Sequence, residues 1–152
     1  MSRGILAVAG AAAFLITAST ARAELAAWEQ ARVAKYAAEL KVATADLKQA
    51  LDDVGIQNFA QQNAMYQVKD TVEMLDNAAN GLDHALRKGE GREATLPRYK
   101  RVDSLRRDAE EEGRSADIPE SVFERVFAVG AALLKLRPYY VDEPPKGPPP
   151  TP

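Results

Sequence analysis

Seven apolar side chains between Met65 and Leu86 constrain this chain more than any other feature. Met65, Val68, Val72, Leu75, Ala79, Leu82 and Leu86 step 3, 4, 3, 4, 3, 4 along the sequence. On an α-helix that spacing draws one narrow apolar stripe, which must be covered by another helix. A second seam precedes it. Val33, Tyr36, Leu40, Ala43, Leu47, Ala50 and Val54 repeat the same steps within an alanine-rich run from Glu24 to Val54, and alanine is the best helix former. Trp28, near the start of this run, is read as a packing residue at a bundle end.

Asp52-Asp53-Val54-Gly55 separates the two seams. Glycine just past a periodic run is a common helix stop, so a tight turn is expected here, folding Glu24–Lys88 into a long hairpin. The competing arrangement is one continuous helix, roughly 95 Å long at 1.5 Å per residue, which would need a second chain to cover it. Arg87-Lys88-Gly89-Glu90-Gly91 closes the second helix, with cations in the last turn and glycine beyond.

Two further helices are expected to form a shorter hairpin. One runs from Leu96 or Pro97 to Glu112, capped by Thr95, with Leu96, Tyr99, Val102, Leu105 and Ala109 as a thin apolar face. Its cations crowd the positive end of the dipole and its acids the negative end. The other follows the start signal Asp117-Ile118-Pro119-Glu120. It carries Ile118, Val122, Phe123, Val126, Phe127, Val129, Leu133, Leu134 and Leu136, and stops at Arg137 before Pro138. The fold class is therefore all-α: an antiparallel helical bundle, with a disordered Pro-rich C-terminal tail. Residues 1–23 read as a signal peptide, 24–140 as the bundle and 141–152 as the tail, where six of the last nine residues are proline.

Met1–Ala23 has a basic start, 12 mostly apolar residues from Ile5 to Ile16 and a small-x-small site at Ala21-Arg22-Ala23. These are the parts of a secretory leader, and the run falls short of the ~20 residues that span a bilayer. Its compact, alanine-rich form points to a bacterial envelope: a periplasmic or secreted chain cleaved after Ala23, with no transmembrane segment thereafter. Loss of Arg3 and Arg22 would leave 18 basic residues against 22 acidic ones, a net charge of −4. An acidic chain is a poor match for nucleic acid, whose binding is dominated by phosphate neutralisation. There is no cysteine, so no disulfide supports the fold and lipid attachment through cysteine is excluded.

Residue types also limit the chemistry. One histidine and no cysteine rule out Cys/His catalysis, Cys-based zinc or iron–sulfur sites and Cys-x-x-Cys-His haem attachment. Gly89-Glu90-Gly91 is too short for a phosphate loop and lacks its lysine. His84 falls opposite the seam, which argues against a non-covalent haem held with Met65 or Met74. Asp70, Glu73 and Asp76 share a helix side but lack the Glu-x-x-His pairs of di-iron bundles. The reading is thus non-enzymatic: no catalytic residues, no cofactor and no metal.

What remains is surface. Between Arg87 and Arg107 lie eight cations (Arg87, Lys88, Arg92, Arg98, Lys100, Arg101, Arg106 and Arg107) against three acids (Glu90, Glu93 and Asp103). This local excess on an acidic chain is the candidate contact surface for a protein or anionic envelope partner. An amide-rich patch (Gln57, Asn58, Gln61, Gln62, Asn63, Gln67) and the Pro-rich tail are the other candidates. The expected function is that of a binding or adaptor module. The alternatives are a carrier of haem, metal or an apolar molecule between the helices, and a coiled-coil homo-oligomer.

Overall fold

The computed structural model describes residues 24–55 and 59–141. The signal-peptide reading of residues 1–23 and the tail reading of residues 142–152 lie outside the described residues; Val141, read as the first tail residue, instead caps the last helix, its amide on the Arg137 carbonyl at 2.9 Å. Four helices follow one another: α1 (Gln30–Asp52), α2 (Phe59–Arg87), α3 (Arg92–Ser115) and α4 (Glu120–Tyr140), with no strand among the described residues.

Cross-helix pairs give the direction of each packing. Between α1 and α2, the Gln30 amide donates to the Leu86 carbonyl at 2.6 Å and the Thr44 hydroxyl to Asp76 at 2.8 Å. Lys48 faces Glu73 at 3.9 Å and Lys69 faces Asp52 at 3.5 Å. Positions rise on one helix as they fall on the other, so the pair is antiparallel and the Gly55 region is a turn. Thr95 with Tyr140 and Gly113 with Phe123 give the same sense for α3 and α4. Each helix packs on two neighbours, α1–α2, α2–α3, α3–α4 and α4–α1, and diagonal helices do not meet. This is an up-down-up-down four-helix bundle.

All seven residues of the α2 seam are buried, none more than 1% exposed. The α1 seam is half shifted. Val33, Leu40 and Leu47 are buried as expected, but their partners are Ala37, Thr44 and Leu51, while Tyr36, Ala43 and Ala50 sit one position away at the core margin. The shift is possible because Thr44 satisfies its hydroxyl internally, on the Lys41 carbonyl and Asp76; a buried polar group is cheap once hydrogen-bonded.

The second hairpin is the shorter one, as expected, with 24 and 21 residues in α3 and α4 against 23 and 29 in α1 and α2, though each of its helices extends past an expected bound. Each encloses the proline expected to bound it. α3 starts at Arg92, upstream of Pro97, and α4 runs through Pro138 to Tyr140. A proline inside a helix strands the carbonyl four residues back. Here those carbonyls belong to Glu93 and Leu134, both exposed residues on the water side, where solvent can satisfy them. With the earlier start, Glu93 lies in the first turn of α3 and Arg114 in the last, which partly corrects the dipole mismatch.

Thr95 is not a cap but a wholly buried residue of the α3 stripe. Asp117 is not the cap of α4 either. It has φ 51° and sits just beyond α3, where the Ile118 amide reaches back to the Gly113 carbonyl at 3.4 Å. That is a left-handed helix C-terminus, with Ile118 resting where a Gly113 side chain would be. At one end of the bundle Trp28 meets Tyr139 and Tyr140 edge-on, at 6.4 and 5.6 Å, and Tyr140 stacks on Tyr99 at 4.5 Å. The Trp28 packing role is as expected.

Candidate functional site

The α2–α3 turn assembles the basic surface. Gly89, at φ 85°, takes the left-handed conformation that suits glycine. The Gly89 and Glu90 amides then close on the Leu86 and Ala85 carbonyls at 3.0 and 3.1 Å. This sharp reversal sets Lys88 before the first turns of α3, which carry Arg92, Arg98, Lys100 and Arg101, while Arg106 and Arg107 lie past the middle of α3 and border its groove with α4.

The structure divides the eight into two groups. Arg87 pairs with Asp83 at 2.9 Å, Arg106 with Glu110 at 2.8 Å and Asp103 at 3.7 Å, and Arg107 with Asp103 at 3.2 Å. Arg92 is built into the bundle end. Its guanidinium donates to the Ala26 carbonyl and lies 5.5 Å from the centre of the Trp28 ring, a cation–π contact. Lys88, Arg98, Lys100 and Arg101 are exposed and have no carboxylate partner among the described residues. Arg98 and Arg101 flank an open groove of about 410 Å³ between α2 and α3, floored by Met74, Asn77, Ala78 and Gly81. Met74 is 37% exposed, so the groove offers an apolar floor beneath two free guanidinium groups.

Other expectations disperse. In the amide patch, Gln62 hydrogen-bonds Tyr66 at 3.4 Å, Asn63 is exposed, and Gln67 borders an open hollow of about 350 Å³ with Asp108, Glu111 and Glu112 of α3; Gln57, Asn58 and the Gln61 side chain lie outside the described residues. Asp76 is occupied by Thr44 and Asn80, and Glu73 faces Lys48. No metal-holding group of acids and histidine occurs among the described residues. His84 is exposed, while Met65 is in the core.

Sequence reading missed a second surface. Phe127 and Leu134, expected in the core, are 58% and 61% exposed, and Val42 on α1 is 60% exposed. They border two open grooves of about 570 and 580 Å³, one on each side of α4. Comparison with protein-family models, curated proteins and solved structures finds no match to this chain. The surfaces must be interpreted from their own chemistry. No helix among the described residues is long and apolar enough to cross a membrane.

Proposed function

We propose that this protein is a non-enzymatic binding or adaptor module of the bacterial cell envelope, engaging an anionic partner through Lys88, Arg98, Lys100 and Arg101. The observation that supports this reading is the division of the basic surface. Half of its cations are neutralised by carboxylates or tied into the fold, and the other half are exposed without a carboxylate partner among the described residues, Arg98 and Arg101 beside one groove. Exposed ion pairs contribute little to stability, so the unpaired group is not explained by folding. Its local positive potential would attract acidic groups and hold them over the Met74 groove. The seams of the bundle are filled by side chains, and the larger hollows are surface grooves between neighbouring helices. That arrangement favours surface recognition over transport of a buried ligand.

The experiment is capture of partners from an envelope fraction by the tagged protein, compared with a triple Arg98→Glu, Lys100→Glu, Arg101→Glu variant. Capture should be lost in the variant and weakened for the native protein as salt rises, because exposed charges are screened within about 10 Å at 0.1 M. Undiminished capture by a folded variant would show that the basic face is only solvated.

A further inference from the structure

We infer that the outward face of α4 is a self-association surface, on which two copies of this chain pair antiparallel about a two-fold axis at Ala131. The α4 stripe is wider than one core needs. Val122, Val126, Val129, Leu133 and Leu136 are buried against α1 and α3, while Phe127, Ala128, Ala131 and Leu134 form a second apolar line facing solvent. Val42 extends that line onto α1. Large apolar side chains in a contiguous exposed strip mark an interaction site more often than isolated ones do.

The residue order on the strip identifies the occupant. Running outward from Ala131, Ala128 and Phe127 lie three and four residues before it, and Leu134 and Lys135 three and four residues after it. When a second α4 is laid antiparallel with Ala131 on Ala131, Phe127 meets Leu134 and the Lys135 stem of the second copy. Ala128 meets Leu134. Bulky residues therefore fall between bulky ones, with small Gly130 and Ala131 at the crossing, where helix axes can approach to about 8 Å.

Charge agrees with shape. Glu124 closes one end of the strip, where Asp46 of α1 and Arg125 also line the groove; Lys135 closes the other, where Glu39 and Lys35 line it. Glu124, Asp46 and Lys35 have no ion-pair partner among the described residues, while Lys135 holds Glu39. Antiparallel pairing sets Glu124 of each copy toward Lys135 of the other. Parallel pairing would set like against like. A surface that complements itself under a two-fold rotation is what an isologous dimer requires.

The test is sedimentation velocity on the purified full chain over a concentration series. A monomer–dimer equilibrium is expected, with Phe127→Glu raising the dissociation constant by about tenfold or more while helicity by circular dichroism stays unchanged. Because the chain has no cysteine, single cysteines report the geometry cleanly. Ala131→Cys, on the axis, should oxidise to a covalent dimer. Phe127→Cys should not, since its two copies lie about 12 Å apart along the axis at 1.5 Å per residue and a disulfide tolerates at most about 7 Å between Cα atoms. A chain monomeric at every soluble concentration overturns the inference. So does a monomer that dimerises only when residues 142–152 are removed, which would make the chain's own tail the occupant. Equal cross-linking of both cysteines overturns the antiparallel register.

Discussion

The hydroxyl pair buried between α3 and α4 makes an asymmetric prediction. Thr95 is wholly buried and its hydroxyl lies 2.8 Å from both the Gly91 carbonyl and the Tyr140 hydroxyl. Thr95 has one proton, and a carbonyl can only accept, so Thr95 donates to Gly91 and Tyr140 donates to Thr95. Tyr140→Phe then removes a donor and leaves Thr95 still bonded, costing about 0.5–1.5 kcal/mol. Thr95→Val keeps the shape and leaves the Gly91 carbonyl with its backbone partner, the Thr95 amide at 3.1 Å. It strands the Tyr140 hydroxyl, however, in a residue 6% exposed, at about 1–3 kcal/mol. Replacing both partners with apolar groups removes the stranded donor, so the double variant should be more stable than Thr95→Val alone. Urea unfolding followed by the fluorescence of Trp28, whose ring is 5.6 Å from that of Tyr140, measures all four proteins with unchanged m values. Strict additivity, or a smaller loss for Thr95→Val than for Tyr140→Phe, would refute the assigned proton directions.

Adjacent positions on α2 give a second contrast. Leu75 is wholly buried and Met74 is 37% exposed, so Leu75→Ala should cost about 3–5 kcal/mol and Met74→Ala less than about 1 kcal/mol by the same urea assay. Alkali provides a third. Burial, reinforced by the negative charge of Asp103, pushes the Tyr99 hydroxyl up to about 12, and burial also raises Tyr140. A tyrosine whose folded pKa exceeds its unfolded value of about 10 stabilises fully below pH 10 and loses that stability as pH rises toward 12. Urea midpoints should fall between pH 9 and pH 11, and fall less steeply in Tyr99→Phe; parallel profiles for the two proteins would contradict the buried phenol.

Legibility in the sequence followed how directly a residue type reports its surroundings. The α2 seam was readable to the last position because one narrow stripe of apolar side chains has only one helical face to occupy. In α1, periodicity gave the heptad but not the phase of every second residue. Thr44 is polar, and nothing local announces that Asp76, 32 residues later, will satisfy it. Asp83 was missed for the same reason: it is 3% exposed, and its Arg87 and Lys41 partners lie at 2.9 and 3.9 Å. Thr95, Pro97, Asp117 and Pro138 are residues that bound helices in isolation. Here Thr95 and its neighbours join the core, and the stranded carbonyls reach water, so tertiary packing overrode the local signal. Within the basic cluster, carboxylates one helical turn away mark Arg87, Arg106 and Arg107 as paired in the sequence itself, but the place of Arg92 depends on Ala26 and Trp28 arriving from a distant segment. Phe127 and Leu134 show the opposite limit: hydrophobicity alone does not say which of two neighbours will cover a side chain.

The bond from the Ala26 amide to the Pro138 carbonyl, 2.8 Å long, gives the bundle a property of a different kind. With it, the path through the four helices comes back almost to its starting point, so that in outline the fold is a ring nicked at one place. Both ends of the described chain leave from the same pole, a hydrogen bond apart, while the Gly55 and Asp117 turns lie at the other. A ring of that form imposes no separation on whatever precedes or follows it. It can be threaded between two segments of another polypeptide as a side branch, without prising them apart.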